Sequence, residues 1–262
     1  MSNEISLEKL LHAGVHFGHK TSKWHPKMSQ YIYTSRNGVH IIHLEKTAAK
    51  LNEAAKFLEE KARAGKTILL AGTKDQAKEI VKKAAEDTGM PFVVEKWMGG
   101  TLTNFGVISR LTKKLKTLET KKGTDEWNAF TKKEKLVIDR EIKKLETNVG
   151  GIRDLNRLPD VLFVIDVKNE ETAVREAIKL KIPIVAMTDS NCDPEGISYV
   201  IPSNDDATKS IALVVGFLAD AIKRGKAEKE AAGAEKPAEV EKKIEEKKEG
   251  QPGEADIPAI QN

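Results

Sequence analysis

Three short, almost purely apolar runs constrain this chain most: residues 67–72 (TILLAG), 161–166 (VLFVID) and 183–188 (PIVAMT). None shows the polar residue at every second position that a strand with one wet face would carry, so each demands cover on both faces. Helical patterns separate them. Leu51, Ala54, Ala55 and Leu58 repeat at helical spacing over 45–64, where Gly65 supplies the stop, and further helices are predicted over 170–180 and 207–222. Thr73 and Gln76 have capping-box spacing at the start of the helix after the first run. Residues 91–94 and 199–201 read as shorter strands. Apolar strands alternating with helices predict an α/β fold in which a parallel sheet is flanked by helices.

Two segments depart from this alternation. In YIYTSRNGVHII, Asn37 and Gly38 supply a hairpin turn between two β-rich runs. From 105 to 156 no strand signal occurs, only two Lys-rich helical stretches. Ile108, Leu111, Leu115 and Leu118 form one stripe, and Leu136, Ile138, Ile142 and Leu145 form the facing one. Narrow stripes with charged flanks predict a protruding antiparallel coiled-coil hairpin. Beyond 225 the composition falls to Ala, Glu, Lys, Pro and Gly, which predicts a disordered tail. The expected organisation is an α/β domain from 1–104 and 157–225, a hairpin insertion at 105–156, and a tail at 226–262.

A chain of 29.0 kDa with 39% hydrophobic residues can bury one substantial core. One cysteine, Cys192, cannot form an internal disulfide. The start MSNEISLEKLL lacks the pattern of a secretory signal, and no run approaches the ~18 apolar residues of a membrane span. A cytoplasmic protein without membrane contact is expected. The formal charge of +4 conceals an asymmetry. Cations exceed acids over 1–157, most steeply in the hairpin, and acids exceed cations thereafter, so one limb is suited to polyanions.

All six histidines fall between His12 and His43, beside Trp24, Tyr31, Tyr33, Lys20, Lys23, Lys27 and Arg36. A metal-binding helix is spoiled by Gly14 and Gly18, and the window offers neither Cys nor HExxH. A catalytic histidine lacks a nucleophile with an orienting acid nearby in sequence. The mixture suits nucleic acid: cations for phosphates, aromatic rings for stacking, imidazoles as donors. The segment after TILLAG has neither GxGxxG nor a GxxxxGK[ST] loop, which disfavours a nucleotide enzyme. Asp189, Asp193, Asp205 and Asp206 follow strands or precede a helix, where turn and capping roles compete with cation binding. If His19 folds against them, His19, Asp189, Asp193 and Asp205 become a candidate site for zinc or another divalent metal. That cluster also carries the alternative of a metal-dependent small-molecule hydrolase or transferase. A free RNA chaperone is a third reading.

Four long segments, LLHAGVHFGHKTSKWHPKMSQYIYTSRNGVHIIHLEKT, WMGGTLTNF, LPDVLFVIDV and IPIVAMTDSNCDPEGISYVIPSNDDATKSIALV, together resemble the universal family of the second protein of the small ribosomal subunit, bacterial type. The resemblance covers nearly all of 5–224. It implies a flavodoxin-like domain with a protruding helical hairpin, no catalysis, and no required cofactor. It further implies binding to small-subunit ribosomal RNA between head and body on the solvent side, neighbouring small-subunit proteins, no homo-oligomer, and help in docking the mRNA-binding protein one. On that reading Lys20, Lys23, Lys27 and Arg36 meet phosphates while Trp24 and His25 stack or pack. Gly99, Gly100, Thr101 and Asn104 fit against RNA or anchor the hairpin root. Lys113, Lys114, Lys116, Lys132, Lys133, Lys143 and Lys144 extend the RNA surface along the hairpin. The acidic last third then suits protein one, with Glu170, Glu171 and Glu176 as the expected contact.

Overall fold

The computed structural model describes residues 5–249 other than 123, 125, 126, 128 and 129, with side chains as far as residue 231. Its elements run α1 (Leu7–His12), β1 (Phe17–Lys20), β2 (Ile32–Arg36), β3 (Val39–Ile42), α2 (Leu44–Arg63), β4 (Ile68–Ala71), α3 (Asp75–Thr88), β5 (Phe92–Val93), α4 (Phe105–Lys122), α5 (Lys132–Val149), β6 (Val161–Ile165), α6 (Glu171–Lys179), β7 (Ile184–Thr188), β8 (Tyr199–Pro202) and α7 (Thr208–Glu249).

Strands β4 to β8 form one all-parallel sheet in the order β5-β4-β6-β7-β8, the flavodoxin-like arrangement. Alternate side chains leave it on opposite faces. Ile68, Leu70, Phe163, Ile165, Val185 and Met187 enter a core closed by α2, α3 and α7. Leu69, Ala71, Leu162, Val164, Ile184 and Ala186 enter a second core closed by α6 and the hairpin. The apolar runs lack polar alternation because neither face meets water.

The hairpin stands where a plain crossover helix would join β5 to β6. Its α4 buries Ile108, Thr112 and Leu115, and α5 buries Ile142, Leu145 and Val149 in the same cluster as the sheet. The expected stripe on α4 is present, with Leu111 and Leu118 partly buried. On α5 it is shifted: Leu136 is 51% exposed, because it lies two positions from Ile138 and so on another face. A capping box between Thr131 and Glu134 starts α5, with the Thr131 amide donating to Glu134 at 2.8 Å.

Residues 17–42 build a separate antiparallel sheet of order β1-β3-β2. Asn37 (φ 52°) and Gly38 (φ 75°) make the predicted turn, both in the left-handed region such a two-residue loop requires. Neither α1 nor β1 is anticipated by the sequence reading.

At the other end, α7 runs on to Glu249, past the point where composition predicts loss of structure; Ala, Glu and Lys are strong helix formers. Its first turns past 225 are fastened. Lys226 donates to the Thr88 carbonyl at 2.5 Å, and Glu228 pairs with Arg63 at 3.3 Å. Residues 250–262 of the expected tail lie outside the described residues.

Candidate nucleic-acid interface

The N-terminal sheet sits over the carboxyl ends of β7 and β8. Its backbone is tied there directly: His19 N donates to Ser190 Oγ at 2.8 Å, His25 N to Ser190 O at 2.8 Å, and Asn204 N to Val15 O at 3.0 Å. Gly18 permits this approach, since a Cβ there would lie 2.8 Å from Ser190 Oγ and 3.1 Å from His40 O. Leu10 and Val15 are fully buried in the main core and complete the attachment.

Side chains add a polar lock. His19 Nδ1 lies 3.1 Å from Asp189, and its Nε2 lies 3.4 Å from Asp206. The hydrogen bond and charge of Asp189, helped by Asp205 and Asp206, raise the His19 pKa above the usual imidazole range against the opposing effect of burial. Lys74 completes the cluster, with Nζ 2.8 Å from Asp205, 2.6 Å from Asp206 and 3.2 Å from Asp166. Burial opposes the Lys74 charge, yet the aspartates outweigh it and its pKa is raised. For Asp205, burial and the nearby charges of Asp166 and Asp189 outweigh Lys74 and push the carboxyl up to about 7. The structure therefore brings together His19, Asp189 and Asp205 of the expected metal ligands, with Asp206 in place of Asp193. Donor atoms of His19, Asp205 and Asp206 lie within 4.8 Å of one another, and the buried Oδ2 of Asp205 has no hydrogen-bond partner among the described residues. This donor set fits a divalent cation, although Lys74 already supplies positive charge beside it.

Asp193 lies elsewhere. It accepts from the Glu195 amide at 3.0 Å and pairs with Lys27 at 3.2 Å; Lys27 also pairs with Glu195. Lys27 is thus engaged internally, with its pKa raised by Glu195 and Asp193. His25, half-buried, has Nε2 3.8 Å from Asp193. Lys20, Lys23 and Arg36 are exposed and form no ion pair among the described residues. Lys20 and Arg36 both stand opposite Val39 in register, on β1 and β2, and so share one face of the small sheet. At a strand spacing of about 4.8 Å their Cα atoms lie roughly 10 Å apart. Trp24 is 39% exposed, its ring 5.2 Å from that of His40.

The WMGGTLTNF loop has another use for its amides than the approach to RNA allowed by the sequence. The Glu176 carboxylate accepts from Gly100 N at 2.7 Å, Leu102 N at 2.9 Å, Thr103 N at 2.9 Å, Thr103 Oγ1 at 3.1 Å and Trp97 Nε1 at 3.2 Å. Burial alone would raise its pKa; the donors from Thr103, Gly100, Leu102 and Trp97 outweigh burial and hold it below the usual carboxylate range. Gly100, at φ +91°, needs to be glycine. Thr101 is buried and bonds Met98 O at 2.6 Å, whereas Gly99 and Asn104 are exposed. The loop therefore anchors the root of α4. One signal could have revealed this: Glu176 lies among Ala173, Val174 and Ala177 on the apolar face of α6, where an acid needs an internal partner.

Glu170 is likewise internal. It is 1% exposed and accepts from Thr73 N at 2.7 Å and Asn169 Nδ2 at 3.0 Å. Thr73 is consequently not the cap of α3, whose N-cap is Lys74 and makes no side-chain cap bond. Of the three acids expected to meet protein one, only Glu171 is exposed, and it pairs with Arg175 at 2.5 Å. Among the acids past residue 157, Asp189, Asp193, Glu195 and Asp206 pair with the chain's own N-terminal module.

On the hairpin, Lys114 pairs with Glu141, and Lys116 with Asp154 at 2.9 Å. Lys113, Lys132, Lys133, Lys143 and Lys144 are exposed without an ion pair among the described residues. No described helix is long and apolar enough to cross a membrane.

Comparison with known proteins agrees with this architecture. The family model described as Ribosomal protein S2 matches residues 10–225. The small ribosomal subunit protein uS2 of Christiangramia forsetii is 50% identical over 229 residues, covering 87% of this chain and 77% of that protein. The uS2 protein of Flavobacterium johnsoniae is 48% identical over 240 residues, covering 92% and 93%. That of Geotalea uraniireducens is 47% identical over 252 residues, covering 94% and 98%. With the parallel sheet, the hairpin and the N-terminal module all inside the matched span, the chain belongs to the ribosomal protein S2 family.

Proposed function

We propose that this protein, a ribosomal protein rather than an enzyme, is a structural constituent of the small subunit that holds ribosomal RNA through its N-terminal sheet and its hairpin. The supporting observation is the sheet face that carries the exposed Lys20 and Arg36, on a module fastened to the α/β body. Exposed cations without acidic partners attract phosphates, and each phosphate neutralised steepens the salt dependence of binding. Lys27 and His25 join the module to Asp193. The site lies at the junction of head and body on the solvent side.

Reversing Lys20, Lys23 and Arg36 to Glu together tests the reading. All three are exposed, so far-UV circular dichroism and melting should be unchanged while occupancy on small subunits falls at moderate salt. Unchanged occupancy across a salt series would reject it.

The same protein helps seat the mRNA-binding protein one, and Glu171 is the acid left on the surface for that contact. Normal retention of protein one on subunits carrying Glu171→Gln would remove Glu171 from the proposal. The His19, Asp189, Asp205 and Asp206 cluster takes a divalent cation in the same reading, joining the N-terminal module to the body. Metal analysis of the purified protein and of His19→Ala checks this, and an intact protein free of transition metal would refute it.

A further inference from the structure

The unpaired charges of the hairpin are arranged unusually. Its two helices contain five carboxylates: Glu119, Glu134, Asp139, Glu141 and Glu146. Every one is engaged within the protein. Arg153 lies 3.5 Å from Glu119 and 4.0 Å from Glu146, Lys122 lies 2.5 Å from Asp139, Lys114 pairs with Glu141, and Glu134 is held in the capping box. Charges left over on the two helices are therefore all positive.

Their positions follow from helix geometry. At about 100° per residue, Arg110, Lys113 and Lys121 point roughly 120–160° away from Leu115, the buried centre of α4. Lys133, Arg140 and Lys144 point roughly 160–180° away from Ile142, the buried centre of α5. Leu115 and Ile142 share the seam between the helices, so the two sets lie on opposite outer faces of the hairpin. All six are exposed, and each ridge spans twelve residues, about 16 Å from first to last at 1.5 Å per residue. Val137, 56% exposed, lies within the α5 ridge.

We infer that the hairpin is held between two separate RNA surfaces, one against the Arg110, Lys113, Lys121 ridge of α4 and one against the Lys133, Arg140, Lys144 ridge of α5. A helix lying along a single RNA surface would need cations on one flank only and could carry its acids on the other. Here both flanks are cleared of acid. Two packed helices with interaxial spacing of 8–10 Å hold surfaces roughly 20 Å apart, so the hairpin acts as a spacer of fixed width. This rests on the RNA-binding reading and adds to it the number and placement of the RNA contacts.

The test is directed hydroxyl-radical cleavage from iron tethered at single cysteines in the full-length protein assembled into small subunits. Lys113→Cys, Arg140→Cys and Lys23→Cys place the iron on the two flanks and on the N-terminal module. Native Cys192 is 1% exposed, and burial pushes its thiol up to about 12, so it resists labelling. The expected result is strong cleavage from positions 113 and 140 at RNA segments that are not base-paired to one another. Cleavage from one flank only, or from both at the same segment, overturns the inference. Cleavage from position 23 alone also overturns it while leaving RNA binding by the N-terminal sheet intact; no cleavage from any of the three rejects both.

Discussion

Replacing Glu176 with Gln changes one oxygen into an amide nitrogen and nothing else in size. Two carboxylate oxygens now divide five donors: Oε1 takes Trp97 Nε1 and Gly100 N, and Oε2 takes Leu102 N, Thr103 N and Thr103 Oγ1. Whichever way the amide turns, its NH2 group faces at least two donors, which lose their acceptor in a site only 8% exposed. Hydrogen bonds to a charged group are worth about 1.5–3 kcal/mol each, and leaving a buried donor unpaired costs about 1–3 kcal/mol. Repulsion is relieved by loop movement, so we expect a net loss of about 3–5 kcal/mol. Urea unfolding followed by circular dichroism would measure it, with Trp97 as a local fluorescent reporter. Faster amide exchange at Gly100, Leu102 and Thr103 should accompany the loss. Because the folded pKa of Glu176 is depressed, its contribution is present above the unfolded carboxylate value of about 4.3 and disappears as pH falls through the folded value. The deficit of the variant should therefore shrink in acid. A Glu176→Gln protein within 1 kcal/mol of the parent at neutral pH would refute this account of the hairpin root.

Lys74→Met leaves Asp205 and Asp206 without their cation, and breaking a buried pair typically costs about 3–5 kcal/mol. An unchanged melting temperature would show that the aspartates do not need it. His19 has a raised folded pKa, so its contribution is complete below its unfolded value of about 6.5 and is lost as pH rises through the folded one. In protein stripped of divalent metal, the difference in melting temperature between the parent and His19→Gln should accordingly be larger at pH 6 than at pH 8.5, and equal differences would contradict the lock. Gly225→Ala drives a Cβ into the Glu59 carbonyl and the Ala62 side chain where α7 crosses α2; a loss of about 1–3 kcal/mol is expected in urea unfolding, and tolerance would mean that the helices separate easily. Leu115→Ala should cost about 2–5 kcal/mol through the seam of the hairpin while leaving the N-terminal module's amide protection unchanged, and loss of both together would show the two limbs to be one unit.

The parallel sheet was readable because β4, β6 and β7 are buried on both faces, and the Asn37–Gly38 turn because so few residues accept its angles. The short α1 was not, since a six-residue helix with only Leu10 buried gives too little pattern to recognise. Candidate site residues divided along a physical line. Lys20, Lys23 and Arg36 proved exposed and without an ion pair among the described residues, as a local reading of charge would suggest. Glu170 and Glu176 proved buried, and Lys27, though exposed, proved paired within the chain; their partners lie 73 to 168 positions away, and no local pattern reports such partners. The charge asymmetry was real, yet much of the acidic excess faces the basic limb of the same chain.

That long-range joint has a consequence for how the protein is made. His19 bonds to a residue 171 positions later, and the Gly14 carbonyl to one 190 positions later. The N-terminal sheet leaves the ribosome first but has no seat until Ser190 to Asp206 have followed. At about 5–20 residues per second, that is a delay of roughly 10–40 s. A chain abandoned part-way would expose cations and aromatic rings with no body to orient them, so only a nearly finished molecule presents the Lys20 and Arg36 face in its seated position.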